Sequence, residues 1–190
     1  METEAAPTPT IVTRIPVLGI AAFSGTGKTT LLSQLIPLLR ARQLRIGIIK
    51  HSHHNFDIDH PGKDSYVLRH AGAESVMLVS KYRRAMITDF PEAVEPRLCE
   101  QLADLNRQEL DLILVEGFKR ERFPKIELHR PALGKPLLFP HDDTVVAVAT
   151  DAPLGVVATI PVLDLNQPSQ IAEFILKHIK IDEGYRLLSH

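Results

Sequence analysis

An apolar run, PVLGIAAF (16–23), passes directly into SGTGKTT and then into leucines at positions 31, 32, 35, 38 and 39. That order constrains the fold more than any other feature of the chain. A short strand, a glycine-bearing turn and an amphipathic helix aim consecutive backbone N–H groups at one point, and the helix N-terminus adds partial positive charge there. Gly25 and Gly27 permit the dihedrals and the close approach that such a turn needs. The phosphate-loop pattern G-x-x-x-x-G-K-[ST] asks for glycine where this chain has Ala22. A methyl group is tolerable at the strand-to-loop junction while φ stays negative. The donors run from Gly25 to Thr30 and do not depend on it. We read an intact phosphate-binding loop in preference to a fortuitous glycine-rich turn. In that reading Ser24, Gly25, Thr26, Gly27, Lys28, Thr29 and Thr30 contact a nucleotide. Lys28 reaches the β- and γ-phosphates, and the Thr29 hydroxyl ligates Mg2+.

Downstream, apolar runs keep alternating with helical patterns. RIGIIKHS, SVMLVS, RRAMITDF, LDLILVEGF, KIELHR and VVAVATD read as strands. TGKTTLLSQLIPLLRARQ, GKDSYVLRHAG, PRLCEQLADLN and QIAEFILKHIK read as helices. Pro37 removes the N–H that would bond the Ser33 carbonyl, so a kink is expected there. The first strand, helix and second strand form a βαβ unit with parallel pairing. The expected architecture is α/β: a three-layer, mostly parallel, doubly wound sheet of the P-loop NTPase type. One domain is expected over residues 14–182, after a disordered leader over 1–13. KIELHR alternates as a half-exposed strand, and its surroundings, residues 118–140, are rich in Lys, Arg and Pro. This segment is expected to project as a hairpin or arm, serving either as a dimerisation element or as an ordinary surface excursion.

Three further stretches place chemistry at the carboxyl edge of such a sheet, where ligands bind. LDLILVEG ends a buried strand on Glu116, which would hold Mg2+ through water or orient an attacking water; a structural cap is the other reading. Asp111 lies at the wrong end of that strand. KHSHHNFDIDHPGKDS (50–65) offers Asp57 and Asp59 for Mg2+ or for the water nucleophile, and Lys50, His51 and Lys63 for anion contact. The same loop reads alternatively as a transition-metal site from His51, His53 and His54, at a spacing that matches no standard zinc pattern, or as a polar loop that orders on nucleotide binding. ATD places Asp151 after a buried strand, where a carboxylate accepts from guanine N1 and N2; a turn-initiating aspartate is the competing account. The catalytic set is thus Lys28, Glu116 and Asp59, and the metal set Thr29, Asp57, Asp59 and Glu116.

Bulk properties bound the partners. With 22 basic and 23 acidic residues among 190, the net charge is -1, and no global field draws the chain to nucleic acid or a membrane. The longest apolar run is far short of a membrane span. The lone Cys99 is expected to be a partly buried structural thiol in a reducing, cytoplasmic setting. The Pro/Thr-rich start has no signal-peptide pattern.

AAFSGTGKTTLL, then IKHSHHNFDID with PGKDSY, then LDLILVEGFK, in this order and spacing, resemble the molybdopterin-guanine dinucleotide biosynthesis protein B family (MobB), over about Pro16 to Ile179. The resemblance implies a homodimeric P-loop protein that binds GTP, hydrolyses it weakly and assists the guanylyltransferase that joins GMP to molybdopterin. It also implies nucleotide contacts from Gly25 through Thr30 and Glu116 as the acidic strand-end residue. Related ATPases carry a lysine near the start of the loop; Phe23 and Ser24 stand there, so that mechanism does not transfer. Lys119, Arg120, Arg122 and Lys125 are either contacts for an anionic pterin phosphate or a solvated basic face. Two further functions share the loop: a small-molecule kinase, which needs an acceptor pocket and a lid, and a scaffold that binds nucleotide without turnover.

Overall fold

The computed structural model describes residues 13–52, 55–105 and 109–178. It contains two compact units, one built from the chain up to His51 and from Arg97 onward, the other from Ser52–Pro96. The expected leader, apart from Thr13, lies outside the described residues.

The first unit holds a six-stranded sheet. Its strands are β1 (Val17–Ala21), β2 (Ile46–Lys50), β5 (Leu112–Glu116), β6 (Lys125–His129), β7 (Val145–Thr150) and β8 (Val162–Asp164), in the order β2-β5-β1-β6-β7-β8. Every neighbouring pair is parallel. Alternate residues of β5 face opposite sides: Leu112 and Leu114 join the layer of α1 (Lys28–Ala41) and α4 (Pro168–His178), and Ile113 and Val115 join that of α3 (Leu98–Leu105). This is the expected three-layer α/β arrangement. Leu31, Leu32, Leu35 and Leu39 form the buried stripe of α1, which continues a turn beyond Pro37.

Two expectations about the sheet are corrected. β1 and β2 are parallel but do not pair, because β5 lies between them. The 118–140 segment does not project as an arm: β6 pairs with β1 on one side and β7 on the other, and all five of its residues are buried. Its strand therefore has no free edge to offer a second chain. Alternation of charged and apolar residues normally marks a half-exposed strand. Here the inner charges are satisfied locally. Lys125 Nζ donates to Glu121 O at 2.7 Å and Thr144 Oγ1 at 2.6 Å, and pairs with Asp142 at 3.3 Å. Glu127 accepts from the N–H groups of Leu138 and Phe139 at 2.8 and 2.9 Å. β8, only three residues long, was not foreseen from the sequence.

The second unit consists of α2 (Asp64–His70) and an antiparallel hairpin of β3 (Ser75–Val79) and β4 (Arg84–Thr88), which form a sheet of their own. Arg69 is its polar centre: Nη2 donates to Asp57 and Asp59 at 2.7 Å each, and Nη1 to Asp89 at 3.2 Å. The apolar side chains remain largely uncovered, with Phe56 69% exposed, Val79 72% and Tyr82 80%.

Two pH effects follow. Burial raises the Glu127 carboxyl above its ordinary 4.5. A carboxyl raised in the fold favours the folded state at low pH and loses that contribution as pH rises through its folded value. Urea unfolding of wild type is therefore expected to show a component of stability that declines above about pH 4.5, and Glu127→Gln to flatten it. Asp59 behaves oppositely. The Arg69 hydrogen bond holds its carboxyl below 3.8, so its contribution is present above that value and is lost as pH falls through the folded value. Protection factors of the α2 amides, corrected for the intrinsic pH dependence of exchange, should fall on acidification in wild type and already be low at neutral pH in Arg69→Met.

Candidate phosphate-loop site

Because all six strands run the same way, the carboxyl ends of β1, β5, β6, β7 and β8 share one edge of the sheet. The loop leaving β1 turns on Gly25 (φ 81°) and Gly27 (φ 100°) into α1. Ala22 is 1% exposed and belongs to the core cluster beneath α1. The methyl that departs from the pattern thus packs inward, at the junction, beside the loop. Thr26 is also buried, and its hydroxyl donates to Phe23 O at 2.9 Å, so that side chain braces the loop internally. Helix α1 starts on Gly27 without a side-chain cap. The amides of Lys28, Thr29 and Thr30 consequently have no intrahelical acceptor, as in any first helical turn. Lys28 Nζ lies against Phe23 O at 3.2 Å and Ala22 O at 3.4 Å, at the mouth of the loop. Ser24, Gly25, Thr29 and Thr30 are exposed.

On the β5 side stands Glu116, its side chain 13% exposed, with Lys50 Nζ at 3.6 Å. The chain then turns through Gly117 (φ 104°) and Phe118 (φ 49°). A side chain at Gly117 would place its first carbon 2.6 Å from His51 Cβ, so glycine is required by space as well as by dihedral. His51 also donates its N–H to Glu116 O at 2.8 Å and lays its ring on Phe118, with 4.7 Å between centroids. Lys119 Nζ sits 4.8 Å from the centre of the Phe23 ring. Desolvation by its surroundings and then the charge of Lys28 push Lys119 below the ordinary lysine value.

On the β6 side a residue missed by the sequence reading joins the site. Arg130, directly after β6, donates from Nε to Thr26 O at 2.9 Å and from Nη1 to Asp151. One guanidinium therefore ties the phosphate loop to the carboxylate after β7. The sequence signal for Arg130 is the KIELH strand itself, which, set inside the sheet beside β1, carries that residue to this edge. Beyond Asp151 a cleft of about 530 Å³ opens between the ends of β7 and β8, lined by Thr150, Asp151, Leu154, Val156, Asp164 and Gln170 among others.

Asp57, Asp59, His60 and Lys63 belong to the second unit, and both aspartates are bonded to Arg69. His53 and His54, and with them the histidine triad, lie outside the described residues. Among the described residues no group of three His, Cys, Asp or Glu is arranged to hold a metal ion. A Mg2+ ion fits Thr29 and Glu116 on chemical grounds, because it takes few protein oxygens and completes its octahedron with phosphate and water. Asp111 pairs with Arg45 at the opposite end of β5, as its place in the strand requires. Of the basic residues around 118–125, Lys125 is buried and bonded, and Arg122 pairs with Asp143. Cys99 is a partly buried free thiol in α3. No described helix is long and apolar enough to cross a membrane.

Comparison with known proteins agrees with this fold. A family model described as molybdopterin guanine dinucleotide synthesis protein B matches residues 17–151. The molybdopterin-guanine dinucleotide biosynthesis adapter protein of Escherichia coli (strain K12) is 46% identical over 173 residues, covering 90% of this chain and 98% of that protein. The Haemophilus influenzae protein of the same name is 49% identical over 163 residues, covering 85% and 88%. Among solved structures, a molybdopterin-guanine biosynthesis protein B superposes with a TM-score of 0.65 at 27% identity, over 86% of this chain and 99% of that one. A MobB homolog from Bacillus stearothermophilus matches in fold with a TM-score of 0.65 at 24% identity, over 86% and 97%. The chain belongs to the molybdopterin guanine dinucleotide synthesis protein B family.

Proposed function

We propose that this protein binds GTP with Mg2+ at the loop after β1 and serves, as a homodimer in the cytoplasm, as an adapter in assembling molybdopterin guanine dinucleotide. Its partners on this reading are a molybdopterin guanylyltransferase and molybdopterin itself, with slow GTP hydrolysis as the accompanying chemistry. The names of the relatives support the pathway. The observation that carries the nucleotide is Lys28, which among the described residues hydrogen-bonds main-chain carbonyls of Ala22 and Phe23 beside a helix start that has no side-chain cap.

The amides from Gly25 to Thr30 would hold the phosphates and Lys28 would bridge the β- and γ-groups. Thr29 and Glu116 would hold the Mg2+, which supplies charge neutralisation to the phosphates. The purine fits the cleft between β7 and β8, with Asp151 accepting from guanine N1 and N2. Asp57 and Asp59 serve a metal or an attacking water only after leaving Arg69, and that commitment favours slow turnover. Nothing at the site favours the kinase reading over the adapter. For the homodimer we assign the exposed apolar hairpin of β3 and β4 in place of the 118–140 segment, since Met77, Val79 and Tyr82 stand uncovered on it.

Calorimetric titration with Mg2+ should show GTP binding more tightly than ATP; equal affinities would remove the guanine assignment. Lys28→Ala should weaken GTP by roughly 10- to 100-fold, the equivalent of one or two charge-assisted hydrogen bonds. Asp151→Asn should lose GTP and gain xanthosine triphosphate, whose base presents a carbonyl where guanine presents an amine. Light scattering should give twice the chain mass for wild type, and a smaller mass after Val79→Asp; a wild-type monomer at micromolar concentration contradicts the assembly.

A further inference from the structure

We propose that Lys119 is a second phosphate-binding cation of the loop, and that it meets the terminal phosphate of the nucleoside triphosphate. The assignment rests on the nucleotide reading above and adds to it which end of the ligand each side of the sheet receives.

The first observation is the charge pattern. Lys50 has Glu116, Arg122 has Asp143, Lys125 has Asp142 and Arg130 has Asp151. Among the described residues, Lys28 and Lys119 have no carboxylate within ion-pair distance. They nevertheless converge on a single residue, Lys28 on the Phe23 carbonyl at 3.2 Å and Lys119 on the Phe23 ring at 4.8 Å. Two like charges gathered at one loop repel each other; desolvation first and the Lys28 charge second hold Lys119 below the ordinary lysine value. An anion between them converts that repulsion into two charge-assisted contacts.

The second observation is the turn that delivers Lys119. Phe118 takes a left-handed φ of 49°, a region that side chains other than glycine, Asn and Asp seldom occupy. It is held there by burial, at 7% exposure, and by the His51 ring. Such strain persists only where surrounding structure enforces it, and it concentrates at ligand sites. Here it sends the following side chain over the phosphate loop while Lys119 itself stays exposed to an incoming ligand.

Sheet order then decides which phosphate is involved. Reading across the carboxyl edge, the strands run β5, β1, β6, β7, β8. Asp151 and the cleft lie at β7 and β8, and the loop lies at β1. A nucleotide with its base in the cleft therefore extends its phosphates across β1 toward β5. Lys119, after β5, waits at the far end of that path. It distinguishes a triphosphate from a diphosphate.

The test compares wild type, Lys119→Met and Lys119→Arg, with Arg120→Met as a neighbouring charge control, in titrations with GTP, GDP and inorganic tripolyphosphate, all with Mg2+. Methionine preserves the length and apolar stem of lysine, so a thermal melt matching wild type confirms that the fold is intact. Lys119→Met should weaken GTP and tripolyphosphate roughly 10-fold or more while GDP changes little, and arginine should restore most of the loss. In wild type, GTP should slow chemical acetylation of Lys119 far more than GDP does; this readout needs no variant. If wild type binds neither GTP nor tripolyphosphate, the nucleotide reading falls and this proposal with it. If wild type binds both but Lys119→Met leaves the GTP-to-GDP ratio unchanged, Lys119 merely clamps the loop through Phe23 and this proposal alone is overturned.

Discussion

A helix that begins on glycine, with no side chain reaching back to cap it, leaves the N–H groups of its first turn without acceptors. In α1 those groups emerge where β1 ends, in a sheet whose strands all run in one direction. Parallel pairing is what makes this local feature a site. It brings the ends of β5, β6, β7 and β8 to the same edge, so Glu116, Arg130, Asp151 and Asp164 are delivered there by four different strands. An antiparallel neighbour would have carried its terminal residue to the opposite end. The buried leucines of α1 fix the helix against the sheet and so fix where its amides point.

β6 shows how a strand can carry charge into an interior. Lys125, Glu127 and His129 occupy alternate positions, and all three are buried. Lys125 and Glu127 are each matched by local partners, main-chain groups among them, rather than by each other. Burying polar groups is tolerable only when their hydrogen bonds are made. Glu127 secures the segment around Leu138 and Phe139, and Lys125 gathers Glu121, Asp142 and Thr144. The connections on both sides of β6 are thereby drawn onto the sheet, which leaves Arg130 free to lean across the loop.

The parts legible in the sequence were those with strong periodicity or with spacing dictated by chemistry. The apolar runs of β1, β5 and β7 and the leucine stripe of α1 located themselves, and the loop between β1 and α1 followed from its glycines. Ala22 looked like a defect in a pattern, and burial shows it to be core. What sequence could not disclose were satisfactions made at long range. The charged alternation of KIELH means solvent in most strands, and nothing nearby in sequence announces that Thr144 and the amides at 138 and 139 will answer it. The commitment of Asp57 and Asp59 to Arg69 is hidden for the same reason: an acid looks available until its partner, ten or twelve residues on, is placed. The three-residue β8 was too short to show a period.

Arg130 has a consequence for anyone who would re-engineer this fold. Its guanidinium grips a carbonyl of the loop with one nitrogen and the Asp151 carboxylate with another. The two regions of the edge are thus mechanically joined through a single planar group. Under the proposed reading, changing Asp151 to alter which ring is recognised would also release one prong of that fork, and the guanidinium that braces the Thr26 carbonyl would lose its anchor. Selectivity and grip cannot be adjusted as separate dials, and paired substitutions at these positions will not sum.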